Sequence, residues 1–342
     1  MYDLKTFGEK MEKTVKSNII NNPRLRNKLI FYVLMLALPL IQLCLFYVYV
    51  NFSTIYMSFF KMVERVGVLG YDMHFAFPDN FVHVWNEIIV KHAYKIGNSA
   101  KMYAIDFPIA LTLQLIFSYY IYKKYPMSGF FKVILYMPAL ISGLVFAILF
   151  NRLMYDGYME LRSIIDFGDT SHASEYEGFL YDDNTVFLGV MVFNIWCQFG
   201  VNILMYSGAM SGIDESIVES CHLDGCNLIQ EFWYISVPLI FPTLIALTIT
   251  SITGIFNNQF GLLSLYGEQL SGLSEEAVRK VNTMGFYMYL QTKRITDLRE
   301  QVYGIEHTAS ELCAYGLCVT LVVIPIVFGV RHLLYKYGPS VD

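Results

Sequence analysis

Residues 185–208 read TVFLGVMVFNIWCQFGVNILMYSG, a run with no charged side chain, interrupted chiefly by the amides of Asn194, Gln198 and Asn202. The hydrocarbon core of a bilayer is about 30 Å thick, so a helix needs about 20 apolar residues to cross it. Every backbone amide must be satisfied inside such a segment, and the run therefore reads as one membrane-spanning helix. Working outward, five further stretches have the same character, at 29–50, 103–122, 130–151, 235–258 and 313–335. The fold class they imply is an all-α polytopic membrane protein with six transmembrane helices. Composition agrees, because charged residues make up 15% of the chain, against about a quarter in soluble domains. A net charge of −5 offers no uniformly basic surface, which argues against a nucleic-acid partner and leaves the lipid bilayer as the first partner.

Charge at the ends of the apolar blocks sets the orientation. An even number of spans puts both termini on one side. Residues 1–28 are polar and basic, with Lys5, Lys10, Lys13 and Lys16, and the apolar run after them is too long for a signal-peptide core and lacks a small-residue cleavage site. It is expected to stay as an anchor. Lys123, Lys124 and Lys132 join the second and third spans with no acid among them. The connector 153–184 instead sets Arg162 against Asp156, Glu160, Asp166, Asp169, Glu175, Glu177, Asp182 and Asp183. Positive charge stays inside, so both termini are predicted to be cytoplasmic. The organisation is then a cytoplasmic segment 1–28, a membrane domain 29–335 and a cytoplasmic tail 336–342. The outer loops 54–102, 153–184 and 259–312 are long enough to fold locally, and a short helix is predicted after Ser274, with Glu275 and Glu276 at its start and Arg279 and Lys280 at its end.

Polar residues inside the spans need partners. Asn194, Gln198 and Asn202 recur every four residues and share one helical stripe, open to two readings: a hydrophilic path for a solute, or hydrogen bonding between helices. Asp106 reads as a snorkelling or helix-start residue near the outer end of its span, with a substrate role as the alternative. Asn257, Asn258 and Gln259 close the fifth span and can meet cargo or serve as a polar helix end. Pro39, Pro108, Pro138 and Pro325 mark kinks, since neighbouring helices can re-satisfy the freed carbonyls. Tyr119, Tyr120, Tyr122 and Tyr125 read as an interfacial belt beside Lys123 and Lys124. The six cysteines, at 44, 197, 221, 226, 313 and 318, show no C-x-x-C spacing and read as small apolar residues, with no metal site.

One inner loop breaks the charge rule. Residues 209–234 hold Asp214, Glu215, Glu219, Asp224 and Glu231 with no lysine or arginine, so a basic protein surface suits them better than an anionic leaflet does. Asp214 can cap a helix, Ser216 to Glu219 fits a capping box, and Gly225 can take the left-handed conformation that ends the helix. Pro238 sits near the first turn of the next span.

This loop resembles that of the permeases of ABC importers, whose fourth-to-fifth connector carries a Glu-Ala-Ala motif followed at fixed spacing by Asp-Gly-Ala, an aromatic residue, Ile and Leu-Pro. The chain has Glu219-Ser220-Cys221, Asp224-Gly225-Cys226, Phe232, Ile235, Val237-Pro238 and Pro242 in that register. Asn194-Ile195-Trp196, Ile213, Gly129-Phe130-Phe131 through Pro138, and Tyr303-Gly304 through Ala309-Ser310 are similar to the sugar-permease branch, although Asp214 stands where that branch usually has proline. The resemblance implies a transport subunit, not an enzyme, in the multi-pass cell membrane of a prokaryote. Its coupling residues would be Glu219, Ser220, Cys221, Asp224, Gly225 and Cys226, and its substrate path Asn194, Gln198, Asn202, Asn257 and Asn258. The implied partners are an ABC ATPase dimer, a second permease subunit and an extracytoplasmic solute-binding protein. The chain has no G-x-x-x-x-G-K-[ST], so ATP and Mg would be bound by the partner ATPase, with no cofactor in this chain. The cargo is expected to be a sugar or oligosaccharide. A permease for another solute and a self-contained channel are the alternatives, and neither H-E-x-x-H nor a nucleophile set supports a membrane enzyme.

Overall fold

A computed structural model describes residues 23–64, 71–165, 178–296 and 308–339. The basic segment from Lys5 to Lys16, the acids from Asp166 to Glu177, the Tyr303-Gly304 pair and the last three residues of the tail lie outside these stretches.

The apolar blocks are helical. The first is one continuous rod, α1 (Pro23–Gln42), a π-helical stretch at Leu43–Tyr49 and α2 (Val50–Ser58). Its large apolar side chains, Leu34 and Phe46 among them, are exposed, as suits a helix apolar on all sides whose solvent is lipid. Strands β1 (Phe60–Glu64) and β2 (Tyr71–Phe75) pair antiparallel. This small hairpin is an addition to the all-α expectation. Next come α3 (Asp79–His83), a π-helical stretch at Val84–Val90 and α4 (Ala93–Tyr122). Helix α4 starts ten residues before the expected boundary at 103, because its polar first turns find tertiary partners. Asn98 Nδ2 donates to the carbonyls of Arg279 (2.8 Å) and Asn282 (3.0 Å), and Ser99 Oγ accepts from the Met284 amide at 2.9 Å.

The third block is not one straight helix. Helices α5 (Ser128–Leu140) and α6 (Gly143–Ile165) meet at 120°. Pro138 withholds a donor in the last turn of α5 and Ile141 is extended (φ −96°, ψ 151°), so this proline marks an end and not the kink expected of it. Pro39, Pro108 and Pro325 do lie inside continuous helices. After α7 (Val186–Ser211) come α8 (Glu215–Leu223), then α9 (Leu228–Glu231), a π-helical stretch at Phe232–Ser236 and α10 (Val237–Leu239). Helix α11 (Phe241–Thr253) runs at 71° to that segment, so the fifth block is also bent. The chain closes with α12 (Leu262–Tyr266), α13 (Glu275–Val281), α14 (Met284–Thr296) and α15 (Ala309–Tyr337). Four of the described helices can cross a membrane unbroken, and the total reaches six when each bent pair is one span.

Helix α7 is the centre of the bundle, packed between α4 and α5. A side chain at Gly200 would place its Cβ 2.7 Å from Tyr136 Cδ2 and 3.1 Å from Tyr136 Cα, so glycine is what lets α5 and α7 approach. Phe146, Phe150, Phe193 and Trp196 pack together beyond that crossing, with ring centroids 5.1 Å apart for Phe150–Phe193 and 5.3 Å for Phe146–Trp196. At the far end, Ser274 caps α13 by accepting from the Ala277 amide, as its sequence predicts, and its hydroxyl bonds the Asp183 carboxylate. Lys280 Nζ donates to the Asp183 carbonyl at 3.0 Å. The loops before α7 and before α13 are thus tied at one end of the bundle.

Candidate functional site: a capped helix and a polar cavity

Helix α8 is closed at both ends by its own sequence. Asp214 Oδ1 accepts from the Ser216 amide at 3.0 Å, and that N–H holds the Asp214 carboxyl below the usual carboxylate range. Ser216 is therefore inside the first turn, not the cap, and the box expected with Glu219 does not form. A reciprocal capping box forms one helix later, between Asn227 and Gln230. At the other end Gly225 has φ +82°, its amide donates to His222 O, and the Cys226 amide donates to Cys221 O, each at 3.0 Å. This is a Schellman termination, which brings the side chains flanking the turn into contact. Here they are Cys221 and Cys226, joined as a disulfide with Cα atoms 5.5 Å apart. The reading of all six cysteines as small apolar residues is corrected for this pair. The five-residue spacing across a capping glycine was the available signal.

Most of α8 is open. Val218 is its buried residue, whereas Glu215, Glu219, Asp224 and Ile217 are exposed and Leu223 is 88% exposed. The segment after α8 is anchored. Phe232 packs among Leu115, Tyr119, Tyr206 and Met210. Glu231 is fully buried, 2.6 Å from Lys123 Nζ and 3.2 Å from His222 Nε2. One acid of the loop is thus already matched, by a lysine from the connector between α4 and α5. Tyr119 is buried as well, and its hydroxyl donates to Leu228 O at 3.3 Å, so it braces this loop and does not belong to an interfacial belt.

The amide stripe of α7 faces a second stripe on α4. Asn194 Nδ2 donates to Asp106 Oδ1 at 2.9 Å and Gln198 Nε2 to Asp106 Oδ2 at 3.3 Å. Asn202 Nδ2 donates to Gln114 Oε1 at 3.3 Å, and Ser118 Oγ to Ile203 O at 3.2 Å. Asp106, Gln114 and Ser118 differ by multiples of four, which is how one face of a helix shows in sequence. Sequence reasoning misses Gln114 and Ser118, although that spacing is present to be read. Asp106 lies more than three turns inside α4 and is buried, which removes its helix-start and snorkelling reading.

Beside these pairs is a cavity of about 490 Å³, within the range of small-molecule sites. Asp106, Gln198, Asn202, Ser251, Asn257 and Asn258 are among its lining residues. Asn194 is buried behind it and pairs with Asp106. Tyr103 donates to Ser251 Oγ at 3.2 Å across the wall. Asn257 and Asn258 lie past the end of α11, in turns that bond Asn257 N to Gly254 O (3.0 Å) and Phe260 N to Asn258 Oδ1 (2.8 Å).

Long apolar helices that hide their polar residues against one another, with a short capped helix presented at one end, define a polytopic helical membrane protein. A profile of the family described as binding-protein-dependent transport system inner membrane component matches residues 107–339, and the chain belongs to that family. Among curated relatives, the lactose transport system permease protein LacF of Rhizobium radiobacter is 26% identical over 187 residues, 54% of this chain and 61% of that one. The probable starch degradation products permease AmyD of Thermoanaerobacterium thermosulfurigenes is 23% identical over 62% of this chain and 68% of its own. The sn-glycerol-3-phosphate permease UgpA of Escherichia coli UTI89 is 22% identical over 90% and 95% of the two chains. The match to LacF thus spans less than two thirds of that relative, whereas the match to UgpA spans nearly all of it. A solved bacterial ABC transporter involved in import of the acidic polysaccharide alginate superposes with a TM-score of 0.64 over 95% of this chain and 99% of its own, at 19% identity, and so shares the fold.

Proposed function

We propose that the chain is the membrane-spanning permease subunit of an ABC importer for a sugar or oligosaccharide. It crosses a prokaryotic plasma membrane six times with both termini inside. Helix α8 docks on a separate ATPase dimer, Glu219 meets a basic residue there, and the partner holds ATP and Mg. A second permease subunit completes the path, and a solute-binding protein delivers cargo to the outer loops. The cargo class is taken from the relatives named for lactose, starch degradation products and arabinooligosaccharides.

The observation that carries this reading is α8 itself: exposed, capped at both ends, and tied through Glu231 and Phe232 to the membrane helices. ATP binding can switch a pore only if the motor contacts the two permease states with different free energy. Moving a population from 1:99 to 99:1 needs about 5.5 kcal/mol of such difference, and a helix held at both ends can deliver a displacement that a loose loop would absorb. The polar cavity between α4, α7 and α11 is the part of the path that this chain supplies, with Gln198, Asn202, Asn257 and Asn258 offering donors and acceptors to sugar hydroxyls.

The test is a cysteine-directed crosslink from Glu219→Cys in native membranes, read by mass spectrometry. Capture of a nucleotide-hydrolysing subunit is the expected result. A crosslink that never yields one, or labelling of position 219 from the outer face of intact cells, would remove the docking assignment.

A further inference from the structure

We infer that the cavity rejects anionic cargo, because Asp106 is the one formally charged side chain among the described residues that line it. The solute that passes is a neutral or cationic saccharide. The inference rests on the reading of this cavity as part of the cargo path, and it narrows the substrate class.

Sites that hold a carboxylate, sulfate or phosphate supply an arginine, a lysine or a helix N-terminus to match it. The lining of this cavity has no lysine, arginine or histidine among the described residues. The nearest base along α4, Lys101, lies over the Phe187 ring at 4.9 Å and lines a separate surface depression with Arg279 and Lys280. Asp106 is held in place by two amides, since one oxygen accepts an N–H from Asn194, outside the lining, and the other from Gln198, on it. Each carboxylate oxygen has a further lone pair to offer, so the group can accept hydrogen bonds from sugar hydroxyls. The residue is 3% exposed, so its ionised form depends on those two amide donors, and a charge held there acts strongly on its neighbours. An anion entering the cavity therefore meets repulsion and no compensating base from this chain's described lining, whereas a neutral saccharide meets one strong acceptor among amides and hydroxyls.

The charge can be read directly, without the specificity of a binding protein intervening. Val201 is exposed and lines the cavity. Val201→Cys is made in a chain whose other free cysteines, Cys44, Cys197, Cys313 and Cys318, are replaced by serine, and the solubilised complex is treated with trimethylammonium-ethyl or sulfonatoethyl methanethiosulfonate, two thiol reagents of similar size and opposite charge. Rates come from intact-protein mass spectrometry, with the denatured chain giving the intrinsic preference of the thiol. The cationic-to-anionic rate ratio in the folded complex is expected to exceed that of the denatured chain by about tenfold or more. Asp106→Asn should bring it back to within about twofold. A folded-state ratio equal to the denatured one, with Asp106 in place, overturns the proposal without any variant at that residue. ATP-driven uptake of an oligouronate at the rate of a neutral oligosaccharide of equal length overturns it as well. Failure of the importer reading would show differently, as no ATP-driven uptake of any saccharide, and the reagent ratio would still report the charge of the cavity.

Discussion

The loop around α8 and the cavity between α4 and α7 both concentrate polar residues, and they satisfy them in opposite ways. On α8 the partners are local: Asp214 to Ser216, Gly225 to His222, Cys226 to Cys221, all within five residues. In the cavity wall the partners are 85 to 92 residues apart in the chain. Local satisfaction frees a helix to be exposed and shaped for something outside the chain. Satisfaction at a distance locks two membrane helices together and leaves a remainder of polar surface for whatever passes.

Changes on α8 should therefore abolish function while leaving the bundle intact. Gly225→Pro forces φ from +82° to near −65° and breaks the Schellman turn. With Glu219→Ala, which removes the charge offered to the motor, it should eliminate ATP-driven uptake while membrane content, followed by immunoblot, stays normal. Full uptake by either variant would erase the contrast between the two regions.

The junction between the regions comes next. Glu231→Ala leaves Lys123 half-hidden without its carboxylate, a type of loss that costs about 3–5 kcal/mol when a buried pair is broken. A lowered thermal midpoint in detergent should reveal it, and combining Lys123→Glu with Glu231→Lys should recover much of the loss. Recovery of stability without recovery of uptake would show that the junction matters for more than cohesion.

Within the cavity wall, Asn194→Leu should lower protein level for every cargo alike, by about 1–3 kcal/mol of stability, because it leaves one oxygen of buried Asp106 unmatched. Gln198→Ala, on the lining, should lower uptake several-fold by an amount that depends on the saccharide. The smallest effect is expected for Cys226→Ala under reducing conditions, within about twofold in uptake, since backbone hydrogen bonds already close that turn.

The same contrast explains what could be read in advance. Much of what neighbours in the chain set was legible: the apolar blocks, the left-handed Gly225, the Ser274 cap and the spacing from Glu219 to Pro242, although the capping box fell at Asn227 and not at Ser216 and the Cys221–Cys226 pair was missed. The 120° turn after Leu140 was not, because proline is compatible with a kinked or an ended helix and the choice depends on what Ile141 packs against. Nor was the fate of Glu231, whose lysine comes from position 123. Asp106 was misplaced because apolar content alone drew the start of α4 at 103, whereas residues 93–102 become helical through bonds to 279–284. A single sequence displays one side of each long-range pair, so Asn194 could be recognised as needing a partner without the partner being identifiable.

Helix α4 runs for 30 residues without interruption, a length of about 45 Å. Near its foot Tyr119 is bonded to the segment after α8 and Lys123 grips Glu231; near its top Asn98 is fastened to the carbonyls of Arg279 and Asn282; Asp106 and Gln114 sit between. A tug on the foot travels along one continuous helix, in which Pro108 is the position that lacks a backbone donor. Tilting or sliding that helix would shift the cavity wall and the far-side loop in the same stroke.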